Sequence, residues 1–124
     1  MYRVAALLYP NALATSVTLP LEILRASAQT ARARSRHAAD IELLLAGSGK
    51  QDTTLFGGLK LAADVDYRRL PPLDLLIIPA IWRNPQPVVR AAQPWLGQLR
   101  TIAGGGTTVC AVGTGVCLLA EAGL

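Results

Sequence analysis

Along the chain, segments with two different patterns of apolar and polar residues alternate. Four mainly apolar runs of strand length occupy residues 3–9, 41–46, 73–78 and 107–112, and each is followed by proline or glycine. Runs of this kind are typical of strands that are buried on both faces, as the strands of parallel sheets are. The pattern therefore predicts four strands of a largely parallel sheet.

Three other segments carry apolar residues at helical spacing. Residues 15–34 and 86–103 predict two long helices, the second ended by a glycine triplet, and residues 116–122 predict a short third helix. Pro94 lies inside the second helix, which we expect it to kink or divide. The first helix is expected to have Pro20 in its first turn and a capping hydroxyl from Thr15, Ser16 or Thr18.

Strands alternate with helices, and the glycine pair 57–58 between the segments 53–56 and 59–62 adds a peripheral hairpin. Parallel strands need crossover connections. We therefore predict a single-domain, flavodoxin-like α/β fold with a mostly parallel sheet and helices on both faces. Ligands of such sheets bind beyond the carboxyl ends of the strands. The segments to examine for function are 10–16, 79–84 and 113–115.

Two glycine-rich turns resemble phosphate-binding motifs only superficially. In the turn 47–50, Leu44 occupies the leading glycine position of a P-loop, and Gln51 replaces its metal-binding hydroxyl. The turn 113–115 imitates the start of a dinucleotide fingerprint, but Leu118 replaces its third small residue. Neither turn therefore predicts a nucleotide site.

The positive charge of the chain comes almost wholly from arginine. Arg32, Arg34 and Arg36 cluster with His37 just after the first predicted helix. Basic residues at a helix C-terminus complement the helix dipole, so we interpret the cluster as a solvated helix end with His37 in a surface loop. No aromatic residues interleave with it to stack nucleic-acid bases. The 52% share of hydrophobic residues also argues against a disordered chain.

Cys110 and Cys117 are the only cysteines, and His37 is the only histidine. This composition excludes a disulfide framework and a Cys/His zinc cluster, and it predicts a reducing, cytoplasmic location without a metal or other cofactor. Each thiol is expected to be a buried structural residue. The apolar start at residues 4–8 is too short to span a bilayer, so no membrane association is expected.

The segment 109–117 runs from a strand through a tight turn into a helix. Such a strained elbow can present a nucleophile beside helix-start amides. The residues Gly113-Thr114-Gly115, followed by 118–124, resemble the elbow of PfpI-like sensor domains of AraC-type regulators, within the class I glutamine amidotransferase-like superfamily. The order of the segments 4–9, 20–24, 73–79 and 104–112 supports the resemblance.

The resemblance implies a sensing and dimerisation domain that binds an unknown small metabolite and forms a homodimer. DNA would be contacted only through a helix-turn-helix domain absent from this chain, and residues 1–124 would form a PfpI-like domain that is incomplete at its C-terminus. Two departures from the family predict that it is not an enzyme. Gly113 replaces the elbow cysteine, and Ser16 replaces an acidic residue of catalytic relatives.

Candidate ligand contacts lie where the strands end. Trp82 beside Arg83 offers an aromatic face and a guanidinium for a small anionic or amphipathic ligand, with packing on the next helix as the alternative. Glu22 points either toward the elbow or into solvent. A hydrolase or glyoxalase-type enzyme with a displaced cysteine, and a structural domain without a ligand, are alternative functions. The predicted site comprises Asn11, Ser16, Glu22, Ile81, Trp82, Arg83, Gly113, Thr114 and Gly115.

Overall fold

A computed structural model describes residues 1–49 and 51–124. Lys50, the last residue of the turn 47–50, lies outside the described residues. The strands in chain order are β1 (Tyr2–Leu7), β2 (Ile41–Gly47), β3 (Asp52–Thr54), β4 (Lys60–Ala62), β5 (Val65–Asp66), β6 (Leu75–Ile78) and β7 (Thr108–Ala111). Five of them form one parallel sheet in the order β5-β2-β1-β6-β7.

The sheet is covered by helices on both faces, as the sequence predicts. The helices are α1 (Thr15–Arg34), α2 (Gln86–Gly104) and α3 (Val116–Glu121). On one face, Val17 of α1 packs with alternate β1 residues such as Val4 and Ala6. On the other, Leu99 of α2 and Leu118 of α3 pack against the remaining β1 positions and the central part of β6. The predicted flavodoxin-like α/β fold is therefore confirmed.

β1 is the central strand, and its apolar run continues beyond it into a buried exit. Residues 4–9 are all buried, because side chains that alternate between the faces meet a helix layer on each side. β2 and β6 flank β1 in parallel register, with Val4 opposite both Leu43 and Leu75. The carboxyl ends of these strands therefore open at the same edge of the sheet.

The predicted hairpin is present as a separate two-stranded sheet of β3 and β4. A short 3-10 turn, Phe56–Gly58, joins the two strands. Gly57 and Gly58 have φ angles of 82° and 81°, a backbone conformation that glycine adopts without steric cost. Leu55 at the end of β3 is buried, which holds the hairpin against the main body.

Four local expectations are wrong or incomplete. Helix α1 begins after Ala14 without a side-chain cap. The hydroxyls of Ser16 and Thr18 donate back to the carbonyls of Leu13 and Ala14 instead of accepting from amides of the first turn of α1. Its start at Thr15 also places Pro20 beyond the first turn. Helix α2 runs undivided through Pro94. The short edge strand β5, which pairs in parallel with the end of β2, was not predicted.

The basic cluster lies in solvent at the C-terminal end of α1. Arg32, Arg34, Arg36 and His37 are all exposed, which confirms the interpretation as a solvated helix end. In the described part of the chain, none of the helices has the length and apolar content needed to cross a membrane.

Candidate functional site at the strand exits

The elbow between β7 and α3 is a 3-10 turn formed by Gly113–Gly115. Gly113 has a φ angle of 52°, and a Cβ atom built on it would lie 3.6 Å from the Ala80 Cβ atom, an ordinary contact. The apex therefore has the left-handed conformation typical of a strained elbow, with room for a side chain that this sequence does not supply.

Gly115 has a different role. A Cβ atom at Gly115 would lie 2.6 Å from the Pro79 carbonyl oxygen and 2.8 Å from that of Ile78. Both distances are shorter than real contacts, and both partners are backbone atoms that cannot swing away. The elbow is therefore pressed directly against the backbone that leaves β6, and only glycine fits this position.

Thr114 joins the elbow to the β6 exit. Its hydroxyl accepts a hydrogen bond from the Ile81 N–H at 2.9 Å and donates one to the Ile81 carbonyl at 2.8 Å. Ser16 joins the start of α1 to the β6 exit in a similar way. Its buried hydroxyl accepts from the Ala80 N–H at 2.9 Å and donates to the Leu13 carbonyl at 2.6 Å. Both hydroxyls are engaged within the protein, so their first role is to fix the strand exits.

The exits of β1 and β6 are joined through Asn11 and Trp82. The Asn11 side-chain amide donates to the Trp82 carbonyl at 2.9 Å, and the Trp82 N–H donates to the Asn11 carbonyl at 3.0 Å. An isolated antiparallel bridge pairs Ala12 with Ile81 beside them. Asn11 and Arg83 have φ angles of 71° and 58°, an uncommon conformation for residues other than glycine. Two strained backbone positions thus flank this junction.

Trp82 contributes an exposed aromatic surface next to the elbow. Its ring packs on Phe56 of the hairpin turn with centroids 4.5 Å apart, and the Arg83 guanidinium carbon lies 5.3 Å from the Trp82 ring centroid. Phe56 and Trp82 remain 40% and 37% exposed. The aromatic partner of Trp82 therefore comes from the hairpin turn.

Eight of the nine predicted site residues meet around the exits of β1 and β6 and the elbow. The ninth, Glu22, is exposed on α1, which fits the helix-surface alternative. Phe56 belongs to this surface but was missed, because the sequence places it in a hairpin that is distant along the chain from Trp82. Its isolation as the only phenylalanine, set between a strand and a glycine pair, was the available signal.

The two cysteines differ from expectation. Cys110 is exposed, so its prediction as a buried thiol is wrong, and Cys117 is only partly buried. Cys110 lies on edge strand β7, where Val109 and Ala111 pack toward α2 and α3. Because side chains alternate along a strand, Cys110 points to the other face, which α1 does not cover at this edge.

Tyr9 is buried beneath the elbow. Its hydroxyl donates to the Pro79 carbonyl, the group that also lies against Gly115. Burial raises the pKa of Tyr9 well above its ordinary value, and the nearby Cys117 thiol, when ionised, raises it further. Tyr9 is therefore a neutral hydrogen-bond donor here and not an acid or base. In the described part of the chain, no group of three or more His, Cys, Asp or Glu side chains is arranged to hold a metal ion.

No family model matches the sequence, and no curated protein matches it. Solved structures with the same fold are numerous. A proposed transcriptional regulator from Vibrio parahaemolyticus superposes with a TM-score of 0.81 at 21% identity, over 100% of this chain and 62% of that one. An AraC family transcriptional regulator from Pseudomonas putida has a TM-score of 0.72 at 24% identity, over 99% of this chain and 71% of that one.

A third similar structure is DJ-1beta from Drosophila melanogaster, with a TM-score of 0.71 at 16% identity, over 99% of this chain and 61% of that one. The chain thus spans about three-fifths of the length of several similar proteins. Its fold is shared by solved structures of DJ-1/ThiJ/PfpI-like proteins and of transcriptional regulators. The fold predicted from the resemblance at the elbow is confirmed.

Proposed function

We propose that the chain is the non-catalytic, small-molecule-sensing part of an AraC-type transcription regulator. It acts in the cytoplasm as a homodimer, and a helix-turn-helix domain outside residues 1–124 contacts DNA. The observation that carries the proposal is the elbow apex, because Gly113 has the strained φ angle of 52° but no side chain to act as a nucleophile. Regulators from V. parahaemolyticus and P. putida have the same fold, which supports the regulatory role.

The ligand contacts the elbow surface, which is the exposed surface formed by Phe56, Trp82 and Arg83. The hydroxyls of Ser16 and Thr114 are already engaged by backbone groups, so these two residues hold the surface in place. An aromatic face beside a guanidinium suits a small anionic or amphipathic metabolite. Since Trp82 also pairs with Asn11 of the β1 exit, bound ligand biases the geometry of both exits.

Calorimetry of the purified chain against a panel of small anionic and amphipathic metabolites tests the proposal. We expect at least one binder, and Trp82→Ala to weaken its binding by about tenfold. Tyr2→Ala is the matched control, since Tyr2 is an exposed aromatic residue at the opposite end of β1. Absence of any binder, or equal effects of the two variants, contradicts a sensing surface at Trp82.

The competing hypothesis is an enzyme that uses a displaced thiol, and the exposure of Cys110 makes it testable. Thiol labelling of the native chain as a function of pH should give slow reaction at Cys110 and Cys117. Gly113→Cys provides the reference, because a cysteine fits at the apex and should label fast. A fast native cysteine, together with hydrolase or glyoxalase turnover that Cys117→Ser or Cys110→Ser abolishes, overturns the non-catalytic assignment.

A further inference from the structure

A cavity of about 760 Å³ opens beside the exit of β1, away from the elbow. The β1 exit forms its floor, strand β3 forms one wall, and the first half of α2 forms the other. Its volume lies within the ~300–1,000 Å³ that is usual for small-molecule sites. Of the nine residues of the predicted site, only Asn11 also lines this cavity.

The cavity lies at the point where the chain changes direction across the sheet. From β1 the chain crosses to β2, which neighbours β1 on one side. It later returns to β6, which neighbours β1 on the other side. The connection after β2 begins with β3, and the connection after β6 contains α2, so the two leave a crevice above the end of β1. In open parallel sheets, this crevice is where ligands bind.

Two partly buried aromatic rings give the cavity an apolar side. Tyr67 and Trp95 pack with their centroids 5.7 Å apart and their planes tilted by 51°. Leu7 and Leu70 pack beneath them. The small side chain of Ala91 leaves space beside the rings along α2. A planar ring of a ligand therefore has both a surface to stack on and room to enter.

The opposite side of the cavity is polar and carries one carboxylate. Asp52 and Thr53 of β3 line it, together with Ser48 after β2. Among the described lining residues, Asp52 is the only charged side chain, because burial keeps the Tyr9 hydroxyl neutral. Hydroxyl and carboxylate oxygens accept hydrogen bonds from N–H groups. The lining therefore favours a neutral or cationic ligand over an anionic one.

We propose that this cavity binds a planar nitrogen-containing ring compound, neutral or singly cationic. Its ring packs against the Tyr67 and Trp95 pair, and its N–H groups face Asp52 and Thr53. The proposal does not depend on the sensing role of the elbow surface. The two sites differ in position and in charge preference, since the elbow surface presents Arg83 and the cavity presents Asp52.

The two tryptophans of the chain allow the sites to be distinguished directly. Protein labelled with 5-fluorotryptophan gives one ¹⁹F signal for Trp82 and one for Trp95, assigned with Trp82→Phe. The probes are indole, tryptamine and indole-3-acetate, which carry the same ring with zero, positive and negative charge. Indole and tryptamine should shift the Trp95 signal and leave Trp82 unchanged, and indole-3-acetate should bind more weakly than tryptamine.

Ala91→Leu fills the cavity from the exposed side of α2 without altering the buried core, and it should weaken indole binding by about fivefold or more. Ala26→Leu, at an exposed position of α1, is the control for folding and should bind as the parent does. Asp52→Asn should reduce the preference for tryptamine over indole-3-acetate by roughly two- to fivefold.

Absence of a Trp95 shift with all three probes at millimolar concentration overturns the proposal. Unchanged binding in Ala91→Leu does so as well. A shift at Trp82 without one at Trp95 also overturns the cavity site, while it favours a ligand at the elbow surface. The ¹⁹F experiment therefore distinguishes failure of the cavity proposal from failure of the sensing proposal.

Discussion

The hydroxyl of Thr114 holds both backbone polar groups of Ile81, accepting from its N–H at 2.9 Å and donating to its carbonyl at 2.8 Å. Ile81 is almost fully buried, so water does not readily replace this partner. One side chain of the elbow thus substitutes for a neighbouring strand at the point where the sheet hydrogen bonds of β6 have ended.

Thr114→Val removes both hydrogen bonds and keeps the shape of the side chain. We expect it to lower the free energy of unfolding by about 1–3 kcal/mol, because two buried backbone groups lose their partner. Urea unfolding measures the change. Thr101→Val is the control, since the Thr101 hydroxyl only donates to a carbonyl one turn earlier on an exposed part of α2. Equal effects of the two variants contradict a special role for Thr114.

The two glycines of the elbow should respond differently to alanine. Gly115→Ala forces a methyl group against the carbonyls of Pro79 and Ile78 and should destabilise the fold by about 3 kcal/mol. At Gly113 there is space for the methyl group of alanine. Gly113→Ala should therefore destabilise the fold by only about 1 kcal/mol, the cost of a left-handed backbone for alanine. Thermal unfolding of the two variants gives the order. A larger loss at Gly113 contradicts the close backbone approach seen at Gly115.

Tyr9 should make stability fall at alkaline pH. The folded state raises the pKa of Tyr9, so the folded protein keeps its proton while the unfolded chain ionises near its ordinary value of about 10. Stability from this group is therefore complete below that value and decreases as the pH rises above it. Tyr9→Phe lacks the titration, and it should cost about 1 kcal/mol near neutral pH through the lost hydrogen bond to Pro79.

Urea unfolding of the parent and Tyr9→Phe at about pH 8 and about pH 11 checks this expectation. The difference between the two proteins should shrink or reverse at the higher pH. A constant difference across the range contradicts the raised pKa of Tyr9.

Homodimer formation should depend on the exposed face of α1. Leu19 and Ile23 lie one turn apart and are each 55% exposed, so they form an apolar strip that a second copy of the chain would cover. Leu19→Glu should shift the chain from dimer to monomer in sedimentation experiments. Gln29→Glu adds the same charge at another exposed position of α1 and should leave the dimer intact. A parent chain that is monomeric at all concentrations contradicts the proposed homodimer.

The sequence predicted the main strands, the helices and the peripheral hairpin because each has a strong period or a clear terminating residue. It missed β5, since two residues cannot show a period and their strand character comes only from pairing with the end of β2. It also assigned helix-capping roles to Ser16 and Thr18, whose hydroxyls find carbonyl acceptors once the chain turns into α1.

The elbow and the residues around it were predictable because they lie at strand exits, which the strand pattern locates. The cavity beside β1 was not, because its lining comes from separate segments that no local motif connects. Cys110 shows the same limit. All residues of its run are apolar or β-branched, so the sequence alone does not reveal which side of the edge strand is left uncovered.

The β3–β4 hairpin has its own two-stranded sheet, joined to the β1 exit by the hydrogen bond from the Phe56 N–H to the Ala12 carbonyl and to the β6 exit by the contact of Phe56 with Trp82. An isolated pair of strands is only marginally stable, so we expect the hairpin to open as a local unit while the five-stranded sheet stays intact. Its amides should exchange with solvent faster than those of β1. A molecule that binds across Phe56 and Trp82 should slow this exchange, because it would join the hairpin more firmly to the β6 exit.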